Sequence, residues 1–208
     1  MKIKVCGMKY EDNIRELVRL SPEYIGFNFY TRSKRYVGRT FDLKDVSSIP
    51  KKIKRVGVFV NSTYGNIMKK VKSFQLDYIQ LHGNESAEFC KKLSKSIKII
   101  KAFGVDEKFD FALLEEYQPY CKYFLFDTKT SSYGGSGKVF NWKILNGYNC
   151  KLPFFLSGGI GLEEARKISH LPSPISHLFG IDVNSKFEIK PGLKDMDKLK
   201  KLKHEIPG

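Results

Sequence analysis

The chain has 208 residues, 41% hydrophobic and 28% charged, which is the range of an ordinary globular protein and sets wholesale disorder aside. No apolar run approaches the roughly 18 residues that cross a bilayer, and Met1-Lys2-Ile3-Lys4-Val5-Cys6 returns to charge too soon for a signal-peptide apolar segment, so a cytoplasmic protein with no membrane partner is expected. The formal charge of +15, from 37 Lys and Arg against 22 Asp and Glu, raises an anionic partner, but the lysines scatter over outer helix faces and no basic block interleaves with aromatics, so no nucleic-acid partner is expected.

In chain order, a strand is expected over 3–6 and a helix over 12–20, with Ile14, Leu17 and Val18 on one face. Strand 24–29 and a weaker helix 42–49 follow. Strand 55–60 leads to helix 63–74, which begins with a good N-cap after Asn61-Ser62 and carries Ile67, Val71 and Phe74 as a stripe. Strand 78–81 and helix 86–93, with Ser86 at its start, come next. Strand 97–103, helix 113–117, strand 123–127 and a weak helix 142–145 follow, then strand 154–156, helix 162–168, strand 178–181 and helix 195–202. Runs such as Tyr123-Phe124-Leu125-Phe126 are continuously apolar, as in parallel strands buried on both faces.

Eight strand–helix units of about 26 residues each predict one domain, 1–208, of α/β class: a lean (β/α)8 TIM barrel. The competing doubly wound sheet would be favoured by GxGxxG after the first strand, where this chain has Cys6-Gly7-Met8-Lys9. Cysteines at 6, 90, 121 and 150 form no CxxC pair and have no His at zinc-finger spacing. Reduced, mostly buried thiols are expected, with no metal and no cofactor.

In such a barrel, chemistry sits at the C-terminal strand ends. Those positions hold Cys6-Gly7, Asn28 with Ser33-Lys34-Arg35, Asn61, His82-Gly83, Asp127 with Gly134-Gly135-Ser136-Gly137, Ser157-Gly158-Gly159, and Asp182-Val183-Asn184-Ser185. The glycines and backbone N–H groups after the seventh and eighth strands predict a phosphate cradle built on Gly158, Gly159, Asn184 and Ser185. The segment 134–137 does not fit a nucleotide P-loop and reads as a loop able to close over substrate. Cys6 and Asp127 are the acid–base candidates. An inert buried thiol and a structural carboxylate are the alternatives for them.

The ordered set Ile3-Lys4-Val5-Cys6-Gly7-Met8, Gly26-Phe27-Asn28-Phe29 with Ser33-Lys34-Arg35-Tyr36-Val37, Val56-Gly57-Val58-Phe59, Gln80-Leu81-His82-Gly83, Phe126-Asp127 with 134–137, Leu156-Ser157-Gly158-Gly159-Ile160, and Gly180-Ile181-Asp182-Val183-Asn184-Ser185 through Pro191-Gly192-Leu193-Lys194-Asp195 resembles phosphoribosylanthranilate isomerase, a barrel family of tryptophan biosynthesis. The resemblance implies a phosphosugar substrate, N-(5-phosphoribosyl)anthranilate, and an Amadori rearrangement from aminoaldose to aminoketose. It makes Asp127 the general acid and Cys6 the general base, sets Arg35 against the anthranilate carboxylate, and lines the substrate site with His82 and Asp182. A monomer or homodimer is expected. The chain departs from the family pattern at Asn141, where Asp is usual, and at Lys186, where glycine is common. A basic binding scaffold and another phosphosugar barrel of the histidine pathway or indole-glycerol-phosphate synthase type are the competing readings.

Overall fold

A strand buried on two faces divides its side chains between two cores. In the computed structural model, which describes residues 1–38, 41, 46–129, 139–169 and 177–206, Tyr123 and Leu125 pack in one buried cluster while Phe124 and Phe126 pack in another. Ile100 and Ala102 are likewise separated from Ile99 and Phe103. This period-two division needs helices outside and a filled interior within. The chain supplies both.

Among the described residues, eight strands form the ring: β1 (Lys2–Val5), β2 (Tyr24–Asn28), β3 (Lys54–Phe59), β4 (Tyr78–Leu81), β5 (Lys98–Val105), β6 (Tyr123–Thr128), β7 (Phe154–Leu156) and β8 (Leu178–Val183). Each pairs in parallel with the next, and β8 returns to β1 in the register Lys2↔Gly180 to Val5↔Val183, closing the expected TIM barrel. Outside lie α1 (Glu11–Leu20), α2 (Tyr64–Ser73), α3 (Ala87–Ser94), α4 (Leu162–Ser169) and α5 (Met196–Glu205). Their starts follow local chemistry: Thr63, Ser86 and Asp195 accept the backbone N–H of Asn66, Phe89 and Lys198.

Two expected helices are 3-10 segments instead, Phe111–Glu116 and Trp142–Gly147. Each is only six residues long, and each is entered through a side-chain oxygen, Asp110 or Asn141, that accepts the N–H two residues on and tightens the first turn. Asn141 thus caps as an aspartate would. The sequence reading also missed an antiparallel pair, β9 (Glu188–Lys190) with β10 (Leu193–Lys194). Its strands are two and three residues long and expose Ile189 at 69%, so no alternation signals them. The first part of the expected helix 42–49 and the loop 134–137 lie outside the described residues.

The interior is layered. Tyr24, Tyr78, Tyr123, Phe155 and Phe179 fill the N-terminal end, with Tyr24 ring centroids 5.2 Å from Phe155 and 5.7 Å from Tyr78. Toward the C-terminal ends the same inward positions turn polar: Lys4 and Cys6, Gln80 and His82, then Asp127, Ser157 and Asp182. Lysines of the outer helices are mostly exposed, as expected, whereas Lys4, Lys101 and Lys194 are buried. No helix among the described residues is long and apolar enough to cross a membrane.

Candidate active site

Two-residue periodicity carries β1, β4, β6, β7 and β8 from apolar layers to functional groups at their ends. There an open cavity of about 760 Å³ is lined by Cys6, Arg35, His82, Asp127, Gly158, Gly159, Asp182, Asn184 and Ser185. These are the nine residues singled out from the sequence. Asn28, Tyr30, Ser33, Gln80 and Ser157 complete its polar wall. Asn61, also flagged as a strand-end residue, does not line it. Its Oδ1 accepts the Asn84 N–H at 2.8 Å and so braces the loop after β4.

Cys6 is a free thiol, 5% exposed. Burial pushes this thiol above the ordinary cysteine value, although Lys4 and Lys194 pull it back. Lys4, wholly buried, donates Nζ to Asp182 Oδ1 at 2.8 Å. Burial works against its ammonium, but the Asp182 and Cys6 charges outweigh it and raise its pKa. Burial likewise raises the Asp182 carboxyl. Lys4 opposes that shift, and the neighbouring Asp127 adds to it.

Asp127 Oδ1 accepts the Thr128 N–H at 2.8 Å, and Oδ2 lies 3.4 Å from His82 Nε2. On the other side of the ring, Gln80 Nε2 lies 3.1 Å from His82 Nδ1. Gln80 and Asp127 thus flank the two ring nitrogens, with Nε2 the one that faces the carboxylate. Gly158 sets the close approach of β6 and β7: its φ is +86°, and a Cβ there would stand 2.6 Å from the Thr128 nitrogen and 3.0 Å from Asp127 Oδ1. Gly7, at φ +74°, does the same for Arg35 and Asn184, whose Cδ and Oδ1 would lie 2.7 and 2.8 Å from its Cβ.

Arg35 is held by a partner the sequence reading missed. Its Nε and Nη2 donate to both oxygens of Glu188, at 2.7 to 3.1 Å. Glu188 Oε1 also accepts from Lys194 Nζ at 2.8 Å and from the Gly192 N–H at 3.0 Å, and Lys194 reaches Asn184 Oδ1 at 2.7 Å. One buried carboxylate therefore fixes the guanidinium, and through Lys194 the turn that carries Asn184. Of the two departures from the family pattern, Lys186 is exposed, and neither it nor Asn141 lines the cavity.

Burial alone would push the Glu188 carboxyl up, yet Arg35, Lys194 and Gly192 together hold it below the ordinary glutamate value. A depressed carboxyl contributes stability above its unfolded value, about 4.3, and loses it as pH falls through the folded value. Glu188→Gln is therefore expected to destabilise the fold at neutral pH by about 3 kcal/mol, the low end for breaking a buried pair. The gap to the parent should close as pH falls below about 4. Thermal melts at pH 7 and pH 3 check this: an equal gap at both would place the effect outside the ion pair.

Other missed residues left a signal of one kind only. Lys4 interrupts Ile3-Lys4-Val5 and Gln80 interrupts Ile79-Gln80-Leu81, two residues before Cys6 and His82 and so on the same inward face. Nothing local marks Glu188 or Lys194.

A family model described as N-(5'phosphoribosyl)anthranilate (PRA) isomerase matches residues 3–205. An N-(5'-phosphoribosyl)anthranilate isomerase of Parabacteroides distasonis is 50% identical over 208 residues, covering 99% of this chain and 93% of the relative. The crystal structure of phosphoribosyl anthranilate isomerase from Thermotoga maritima superposes with a TM-score of 0.82 at 34% identity, over 99% of this chain and 98% of that one. A crystal structure of such an isomerase in complex with reduced 1-(o-carboxyphenylamino)-1-deoxyribulose 5-phosphate matches with a TM-score of 0.81 at 30% identity, with the same coverage.

Proposed function

We infer the reaction from one premise: the chain belongs to the N-(5'-phosphoribosyl)anthranilate isomerase family, enzymes of tryptophan biosynthesis. The reading is that it converts the phosphoribosyl aminoaldose to the 1-deoxyribulose aminoketose by an Amadori rearrangement. The observation that carries it is the gathering of all nine expected residues around one cavity at the C-terminal end of the barrel.

Asp127 acts as the general acid. It protonates the ribose ring oxygen, the ring C–O bond breaks, and the nitrogen lone pair forms the Schiff-base iminium. With Oδ1 tied to the Thr128 N–H, Oδ2, the oxygen beside His82, is the one left to exchange the proton. Cys6 then removes the proton at C2. The iminium draws in the electron pair of that C–H bond, which acidifies the proton and makes a modest base sufficient. The resulting enolamine tautomerises to the ketone. No electrons are gained or lost overall, in keeping with an isomerase.

The anchors follow from charge. The Nε/Nη2 edge of Arg35 is taken by Glu188, so the Nη1/Nη2 end is the one that meets the planar anthranilate carboxylate. The phosphate rests on the backbone at Gly158-Gly159 and Asn184-Ser185, just past the ends of the adjacent strands β7 and β8. His82 and Asp182 meet the ribose between these two anchors.

The test is direct. Purified protein mixed with freshly generated N-(5-phosphoribosyl)anthranilate should abolish its anthranilate fluorescence as product forms. Fluorescence that decays no faster than in buffer would overturn the reading.

A further inference from the structure

We infer that Lys4 is a positioning residue for the base: one buried ammonium, shared between the Asp182 carboxylate and the Cys6 sulfur, is the counter-charge that lets a desolvated thiol release its proton. This rests on the proposed role of Cys6 and adds to it the group that makes that role possible.

A lysine in the middle of a barrel strand is a poor packing choice. Its inward position could be filled by methionine or leucine without burying a charge. Lys4 is nevertheless fully buried in β1, between Ile3 and Val5, which join the outer core. Two things hold it there. Register sets it opposite Asp182 on β8, where Nζ donates to Oδ1 at 2.8 Å. It also stands two residues before Cys6 on the same inward face, where its ammonium acts electrostatically on the thiol. A lysine head has three N–H donors, enough to serve both anions at once.

The charged groups facing Cys6 are Lys4 from β1, Asp182 from β8, Lys194 from β10 and Arg35 from the segment after β2. Arg35 and Lys194 both spend their charge on Glu188. Lys4 is therefore the cation whose balance between carboxylate and sulfur decides the sulfur's state. Burial pushes the thiol up most strongly, Lys4 opposes that more than any other group, and Asp182 pushes it up again. Asp182 in turn faces Asp127 and His82, so the pair bridges the base and the acid sides of the cavity.

Opposite signs follow for the two partners. With iodoacetamide, the pH dependence of alkylation at Cys6, read by mass spectrometry of the peptide that contains it, reports the thiolate fraction without any turnover. In Lys4→Met the inflection should move up by about one pH unit, so that Cys6 alkylation at pH 8 falls about tenfold. In Asp182→Asn it should move down, and alkylation at pH 8 should rise. The double variant Lys4→Met/Asp182→Asn leaves no unpaired buried charge and guards against unfolding of the first variant. It should still alkylate more slowly than the parent, because the strongest opposing cation is gone.

Loosening of the fold would expose the sulfur and speed alkylation in every variant, so equal signs for the two single variants would overturn the proposal. An unmoved inflection in both Lys4→Met and the double variant would overturn it as well. The base role itself is judged separately, by turnover of Cys6→Ser. Alkylation that shifts as described, with turnover retained in Cys6→Ser, would sink the reading of Cys6 and spare the charge relation.

Discussion

Cys6→Ser and Asp127→Asn should each lower kcat by about 10²–10⁴-fold, the share general acid or base catalysis supplies, while KM stays close to the parent's. A serine hydroxyl fills the place of the thiol but ionises far too weakly at neutral pH to take a carbon-bound proton. An asparagine amide keeps the shape of Asp127 and its Thr128 contact but has no proton to deliver to the ring oxygen. Neither change touches the proposed phosphate cradle at 158–159 and 184–185 or the proposed Arg35 anchor, so ground-state binding should persist and the loss should fall on the chemical step. Steady-state kinetics by fluorescence loss separates kcat from KM. Near-parent turnover in either variant would remove that residue from its role. A rise in KM with kcat preserved would make it a binding residue instead.

The second large effect is expected away from the cavity. Glu85→Ala should destabilise the protein by about 3–5 kcal/mol, as breaking a buried ion pair does. The Glu85 and Lys101 side chains are each 2% exposed and meet at 3.2 Å. Glu85 also accepts the Asn61 N–H at 2.8 Å and the Gly83 N–H at 2.9 Å, while Lys101 donates to the Gly83 carbonyl at 2.8 Å. Removing the carboxylate strands an ammonium and two N–H groups together. Those N–H groups belong to the ends of β3 and β4, the second carrying His82, so a fall in kcat should accompany the fall in stability. Urea unfolding measures the first: a midpoint within a few tenths molar of the parent would contradict it. The variant Glu85→Ala/Lys101→Met, which leaves no stranded charge, should recover a good part of the loss.

The inward and outward roles of the strand residues were legible wherever chemistry follows a local period. Tyr123-Phe124-Leu125-Phe126 announces burial on two faces, and Asp127 immediately after it announces a strand end with a reactive group. Helix starts at Thr63, Ser86 and Asp195 were readable because a cap is a contact between a side chain and a backbone group three residues on. The 3-10 segments and the β9–β10 hairpin were not, since six residues or fewer carry too little periodicity to choose between turn types.

By itself, the sequence determined the eight alternating units and the polar strand ends, because each depends on spacing within a few neighbours, and the ordered motifs at those ends, by their resemblance to a family, singled out nine of the residues that line the cavity. The tertiary structure alone decided their electrical state. Lys4 meets Asp182 178 residues away, and Arg35 meets Glu188 153 residues away. Only ring closure between β8 and β1 brings these charges together out of water, where a single ammonium or carboxylate sets the protonation of its neighbour.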